Sequence, residues 1–458
     1  MRLSLLSTTA LGALLVLSSA ALAQQTGGQA AGGQSGGFIA WPDSEDDDDD
    51  NTIGRAQQLL DNRYQVSGQE VNPNVAVQDR PRPDYDPLGI RAGTFLLFPS
   101  IDTSISFDSN VNATEDDEDS DIILGVTPEI NATSTWSRHQ LNASAYIDGG
   151  KYLSEDQNDF LDFGLGVGGR YDVSRAGSFR AQASYDRLHE SKDDPDRVVF
   201  GDSEIAEYDR YVARGGYQHR FNRITLAGDL LYRLYDYDSF EVDGQTVDQS
   251  VRNNQQYGGN LRVGYALSPR IGVFTQANYL FYDYDNETSG GRDQDSEKYG
   301  LSVGTSLDFT SILFGEASIG YQKQEYKSDA FENQDGLSAD VALTWNVTTL
   351  STLQLIGSRD FLPSSSGGTS RLSTDVALVG HHELLRNLIL NAQLVYENED
   401  YEQTTLERDI YTAGFGADYL LTRNFSAGAE YEFRTQDSTS EGGDYDKHVV
   451  MLRLRAQM

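Results

Sequence analysis

Between Tyr208 and Leu234 the chain alternates apolar and polar positions with a period of two. Tyr211, Ala213, Gly215 and Tyr217 share one face; Arg210, Val212, Arg214, Gly216, Gln218 and Arg220 share the other. Phe221, Asn222 and Arg223 form a short turn. Ile224, Leu226, Gly228, Leu230, Tyr232 and Leu234 then return on the apolar face, against Thr225, Ala227, Asp229 and Arg233. Successive side chains of a strand point to opposite faces, so this stretch predicts a β-hairpin. A soluble sandwich would bury the apolar face against a second sheet. A transmembrane barrel would turn it to lipid and keep water inside.

The same alternation recurs. Phe179, Ala181, Ala183 and Tyr185 oppose Arg180, Gln182, Ser184 and Asp186. Tyr257, Gly259, Leu261, Val263 and Tyr265 oppose Asn260, Arg262 and Gly264. Tyr411 to Tyr419 and Phe425 to Phe433 behave alike, the second placing Glu430 and Glu432 opposite its aromatics. In the last segment, Val449 to Met458, Leu452 and Leu454 oppose Arg453 and Arg455. From Arg91 onward two kinds of connection separate such segments. Short turns centre near Arg138, Arg175, Asn222, Ser268, Thr310, Thr348, Arg386 and Arg423. Longer acidic loops fall at 114–121, 154–159, 187–207, 237–254, 283–296, 325–336, 360–371, 396–409 and 435–446. The repeat of roughly 40 residues raises a propeller, whose blades hold four short strands each. Here each period holds two segments of ten or more residues, the layout of an outer-membrane barrel. Eight turns and nine loops separate eighteen strands, and even parity leaves both ends on the periplasmic side. The predicted fold is all-β: a closed antiparallel up-and-down transmembrane β-barrel of about 18 strands over residues 93–458. Closure is required because an open sheet edge in lipid strands its backbone polar groups.

The segment before the barrel reads differently. Met1 to Ala23 carries Arg2, a mostly apolar stretch, and a small-x-small site at Ala21-Leu22-Ala23, and is expected to be a signal peptide. Residues 24–92 are expected to be a largely disordered periplasmic linker. Gln24 to Gly37 is rich in Gly, Gln and Ala, and Glu45 to Asp50 is an unbroken acidic run. Thr52 to Tyr64 has the spacing of a short helix, and Val71 to Pro87 is broken by Pro and Asp and reads as extended. The acidic run lacks the spaced ligands and turn glycine of a calcium loop; a solvated run is the plainer reading.

Composition narrows the class. The chain has 458 residues, zero Cys and a formal charge of -36. Apolar residues make up 38% and charged residues 23%, poor material for large soluble cores. No other run approaches the roughly 18 apolar residues of a spanning helix, so any membrane crossing is by strands. The negative charge disfavours nucleic acid. No HExxH, Cys pair, GxSxG or P-loop is present, so neither an enzyme nor a cofactor is expected. Of six His, the adjacent His381 and His382 face opposite sides of a strand and cannot share a metal without a bulge.

An eighteen-strand barrel leaves a bore unless something plugs it. The residues expected to line it carry both signs: Arg180, Arg210, Arg214, Arg233, Arg262, Arg453 and Arg455 against Asp229, Asp418, Glu430 and Glu432. Such a lining sets selectivity for an anionic solute, or is a lattice of ion pairs that any polar lumen carries.

The stretch from Arg80 to Arg91, followed by Thr94 to Ser100, resembles the opening segment of a family of outer-membrane β-barrel porins. Asn110 to Ser120 and Ile122 to His139, with Trp136-Ser-Arg-His139, continue the resemblance. It implies a large barrel in the cell outer membrane, with lipid and the barrel-assembly machinery as partners. Many barrels end in Phe or Trp as a cue to that machinery, whereas this chain ends in Met458. Some similar barrels accompany exopolysaccharide export, which implies a polysaccharide as solute and an export protein as a further partner. The family assigns no chemical role to any residue. The expected function is passive passage of a hydrophilic solute; the alternative is a structural or adhesive protein with acidic loops and a closed bore.

Overall fold

The computed structural model describes residues 76–458, apart from 117, 195–205, 243–244, 288–292, 309–311, 365–369 and 403. The expected signal peptide, the short helix at 52–64 and the acidic run lie outside the described residues. Eighteen long strands follow one another around a single closed sheet. They are β1 (Phe95–Asp108), β2 (Asp121–Ser134), β3 (Gln140–Tyr152), β4 (Phe160–Asp172), β5 (Gly177–His189), β6 (Glu207–Phe221), β7 (Ile224–Tyr237), β8 (Asn254–Ser268) and β9 (Ile271–Tyr284). The second half comprises β10 (Ser296–Asp308), β11 (Leu313–Tyr326), β12 (Gln334–Thr348), β13 (Ser351–Pro363), β14 (Ser370–Leu385), β15 (Leu388–Tyr401), β16 (Glu407–Leu420), β17 (Phe425–Ser438) and β18 (Tyr445–Gln457). Each pairs antiparallel with its sequence neighbours.

The ring closes where β1 meets β18, in register from Ser100↔Gln457 to Asp108↔Val449. The seam ends where the Met458 amide donates to the Pro99 carbonyl at 3.1 Å, which leaves the lower edge of β1 uncovered from Phe95 to Phe98. The three residues Ile90–Ala92 fold back there, pairing Ile90↔Leu97 and Ala92↔Phe95. Backbone donors that would otherwise face hydrocarbon are thus satisfied. Bulges sit at the periplasmic ends of β8, β12 and β14, between Ala266 and Ser268, Asn346 and Thr348, and Glu383 and Leu385.

Alternation sets the two faces. Outward positions carry most of the large exposed apolar side chains, among them Leu165, Leu230, Leu261, Leu301, Leu394 and Leu452. In water this cylinder of exposed hydrocarbon would be unstable; in a bilayer it is the contact surface. Aromatic rings border it. Toward the long loops Phe163, Tyr185 and Tyr211 touch in sequence around the wall, and Tyr257 packs against Phe281. Several of these tyrosines end in a carboxylate: Tyr185 donates to Asp209 at 2.9 Å and Tyr396 to Asp409 at 2.7 Å, a wet cap on an apolar ring. Toward the turns His139 stacks on Tyr171.

Candidate functional site: the bore and its two mouths

Eighteen strands about 4.8 Å apart, tilted near 40°, enclose a cylinder roughly 36 Å across between backbones, or roughly 20 Å once side chains are allowed for. Every residue expected to line it lies on an inward position, but they gather in two separate sectors. Arg180 on β5, Arg210 and Arg214 on β6, Asp229 and Arg233 on β7, and Arg262 on β8 share one sector. Asp418, Glu430, Glu432, Arg453 and Arg455 share another, on β16 to β18.

The second sector is a chain of charges. Arg453 reaches Asp418 at 2.6 Å and Asp102 at 3.5 Å; Arg455 reaches Asp102 at 3.2 Å and Glu129 at 3.4 Å. Glu432 accepts from Gln393 Nε2 at 3.0 Å. Glu430 lies opposite Met451 in the ladder. Charges in a confined lumen need counter-charges, because an unpaired one bears most of its desolvation cost alone.

In the first sector Arg262 lies over the Phe274 ring, 3.4 Å from its centroid, and contacts Glu316 at 2.9 Å. Arg233 bonds Gln256 at 3.3 Å, and Arg210 sits 3.8 Å from Asp186. Asp229 stands between Gly216 and Asn260. Arg170 on β4 extends the basic stripe. Its strand is rich in Gly, so the sequence offered no clear alternation there, although counting from the turn would have placed it. Along the bore the order from the turn side is Arg170 and Arg180, then Arg214 and Arg262, then Arg210 and Arg233.

The inner wall is not polar throughout. Ala342, Ile356, Ala377, Val379 and Val395 form a buried apolar patch on β12 to β15. Leu231, Leu280 and Tyr282 form another near the outer end of β7 and β9. Simple alternation of wet and dry faces did not foresee these.

Both mouths are narrowed. At the outer one, the connection after β5 turns inward. Its Asp193 reaches a part of the wall about a third of the way round the ring, 3.3 Å from Arg434 on β17 and 3.7 Å from Lys447 on β18, which also holds Asp108 at 3.1 Å. Glu190, in the same connection, pairs with Arg252 at 2.5 Å. The sequence reads 187–207 only as a long outer loop, since nothing in its composition marks a return into the bore.

At the periplasmic mouth residues 76–89 are seated inside the rim. The Val77 amide donates to Thr352 Oγ1 at 2.9 Å, and Thr352 faces inward. Arg82 donates to the Val77 carbonyl at 2.9 Å and contacts Glu383 at 3.5 Å; Arg80 lies 3.6 Å from the same carboxylate. Asp86 accepts from the Arg82 amide at 2.6 Å, and Arg423 grips the Pro83 carbonyl at 2.6 Å. Burial raises the Asp86 carboxyl above its ordinary range and lowers the Arg82 guanidinium. Part of the stretch that reads as a linker is therefore a fitted insert. His381 and His382 do face opposite ways: His381 meets Asn391 at 2.8 Å and His382 meets Ser351 at 2.9 Å.

A sealed cylinder with hydrocarbon-facing outer rows and a charged inner wall is a transmembrane β-barrel of the outer membrane, of the channel-forming kind. The chain belongs to the family described as "Putative beta-barrel porin 2", whose sequence profile matches residues 82–458. No curated protein matches it. Among solved structures it is similar to OpdL of Pseudomonas aeruginosa, with 12% identity over 80% of this chain and 100% of that one, at a TM-score of 0.42. OpdK of the same organism, solved with vanillate, gives 9% identity over 79% and 99%, at 0.42. The P. aeruginosa ferric enterobactin receptor PfeA gives 8% over 79% and 80%, at 0.43. At this level of likeness they say nothing of this chain's solute.

Proposed function

We propose that this porin passes hydrophilic solutes passively through the bore, with the basic sector guiding negatively charged groups. The observation that supports this most directly is the ladder of inward arginines, Arg170, Arg180, Arg214, Arg262, Arg210 and Arg233, running from one mouth toward the other. Fixed positive charge in a confined lumen lowers the barrier to anions and raises it for cations. Guanidinium groups also match carboxylate and phosphate geometry in pairs. An exported acidic polysaccharide would suit such a ladder, moving from one arginine pair to the next. That version draws its support from the sequence resemblance alone.

Reversal potential in a salt gradient across a planar bilayer tests the reading. Arg214→Glu with Arg262→Glu is expected to move selectivity from anions toward cations. An unchanged reversal potential would reject the basic sector as the solute path. Deleting the gene and finding surface polysaccharide unchanged would remove the polymer as solute. The second reading, a surface protein with a closed bore, is favoured by one observation: the two narrowed mouths.

A further inference from the structure

We propose that the periplasmic rim binds anionic phospholipid: Arg138, Arg175 and Arg223, on three successive turns, hold headgroups of the periplasmic leaflet. The inference concerns the outside of the barrel and does not depend on whether the bore conducts.

The two rims differ in charge. Among the described residues that join strands on the turn side stand Arg138, Arg175, Arg223, Arg270, Arg386 and Arg423, and no Asp or Glu. The other rim is acidic: Glu115, Asp116, Glu118 and Asp119 follow β1, and Glu155, Asp156 and Asp159 follow β3.

The charge of three of these arginines is open to an outside partner. Arg138, Arg175 and Arg223 are exposed, and none has an ion-pair partner among the described residues. Arg138 donates to the Asp172 and Val173 carbonyls at 3.2 and 3.4 Å, which lays it toward the turn that carries Arg175. Arg386 differs, since it stands 3.3 Å from Glu383. Successive turns are two strands apart, about 10 Å along the rim. Fields of neighbouring arginines therefore overlap at ordinary ionic strength, where the Debye length is about 8–10 Å.

Position favours lipid over a soluble partner. Only Asn222 and Arg223 join β6 to β7, and only residues 173–176 join β4 to β5. Turns so short stay at the level where outward rings mark the interface. Such rings stand between the arginines. His139 stacks on Tyr171 at 4.3 Å; His219 packs on Phe221 at 4.2 Å and is hydrogen-bonded to Tyr217 at 2.9 Å. Gly177 leaves room for the last pair, because a Cβ there would meet the Tyr217 hydroxyl at 2.5 Å and His219 Nδ1 at 2.7 Å. Tyr171 and Phe221 keep 57% and 54% of their exposure, so an apolar flank lies beside each charge. A guanidinium pairs with phosphate oxygens, and a ring packs on the glycerol and upper acyl chain. A zwitterionic headgroup carries its own cation, so the net attraction falls on the anionic lipid.

Trp136 reports on the site. It lies in the same turn as Arg138, is 44% exposed and meets Phe95 edge-on. Trp41→Phe with Trp345→Phe leaves it the sole tryptophan of the full chain. Brominated phosphatidylglycerol and brominated phosphatidylcholine are compared as quenchers at equal mole fraction in vesicles of low salt. Phosphatidylglycerol is expected to be preferred beside Trp136 about fivefold or more, the worth of one basic side chain at an anionic surface. Salt at about 1 M, with a Debye length of about 3 Å, is expected to erase the preference. Arg138→Gln, Arg175→Gln and Arg223→Gln together are expected to bring the two lipids to parity. Arg138→Lys, Arg175→Lys and Arg223→Lys together should keep most of the preference, and Arg386→Gln should keep all of it. Parity in the chain with its natural turns overturns the proposal. So does a preference that survives the three Gln, or one that the three Lys lose as fully.

Inorganic phosphate separates a lipid site from a free-anion site. Phosphatidylglycerol is expected to raise the temperature at which the folded gel band is lost, and excess phosphate in phosphatidylcholine vesicles is expected to leave it unchanged. An equal rise with both overturns the lipid in favour of a soluble anion.

Discussion

Arginine placed on the outer wall at two depths should reverse the tolerance expected of a soluble protein. Leu230 is the more exposed of two outward positions on β7, at 71% against 40% for Leu226. It stands between Gly215 and Gly259 on the adjoining strands, so few side chains shield it. In water the more exposed site accepts a charge more readily. In lipid, depth governs instead. With a climb of about 2.5 Å per residue in a tilted strand, Leu230 lies about 15 Å above Ile224, while Leu226 lies only about 5 Å above it. The apolar band is about 25 Å tall, which puts Leu230 near its middle and Leu226 near its edge. Leu230→Arg should then cost about 2–4 kcal/mol and Leu226→Arg about 0–1 kcal/mol. The first figure is roughly a thirty- to several-hundred-fold change in the folding equilibrium. Guanidinium unfolding in phospholipid vesicles, followed by tryptophan emission, measures both. A cost at Leu226 equal to or above that at Leu230 would refute the assignment of this face to hydrocarbon.

Four further outcomes are expected. Asp193→Asn removes the tie that the inward connection makes to Arg434 and Lys447; single-channel conductance should rise and selectivity should shift toward anions. Arg82→Ala strips the insert at the periplasmic mouth of its bonds to Val77 and Glu383. Losing such a buried partner costs about 1–3 kcal/mol, so chymotrypsin should cut after Tyr85 roughly 5- to 150-fold faster. Asp86 has a raised pKa in the docked insert, so its contribution to docking is complete at low pH and is lost as pH rises through that raised value. Asp86→Asn should therefore protect the Tyr85 bond at pH 7, with the advantage over the natural chain vanishing on acidification. Gly315 has φ +150°, and a Cβ there would meet the Ala342 carbonyl oxygen at 2.0 Å. Gly315→Ala should destabilise the β11–β12 pairing by about 1–3 kcal/mol, seen as a lower temperature for the loss of the folded gel band.

Most of the barrel could be read from odd and even positions. The hairpin at Tyr208 to Leu234 forms with the inward and outward sets expected, because a one-residue slip would turn Arg214 into lipid and Leu230 into the bore. The connections alternate short and long, since the two rims face different compartments. Three features escaped. Arg80, Arg82 and Asp86 have no periodic setting, so their fit against Glu383 depends on strands some 300 residues away. Asp193 is one acid among many in a loop, and only the folded barrel brings β17 within its reach. The apolar patch around Ile356 looks in sequence like the greasy side of a strand; its inward aim comes from register, not composition.

The short strand Ile90–Ala92 changes what the barrel can lose at its far end. It and β18 lie along the same edge of β1, one below the seam and one along it, so two stretches separated by most of the chain complete a single border. Until both arrive, the half-built wall offers two raw edges, each eager to zip onto another molecule. A chain clipped within Tyr445–Gln457 would then not give a slightly leaky pore. It would remain an unfinished ribbon, and its fate would be clumping or destruction before any solute crossed.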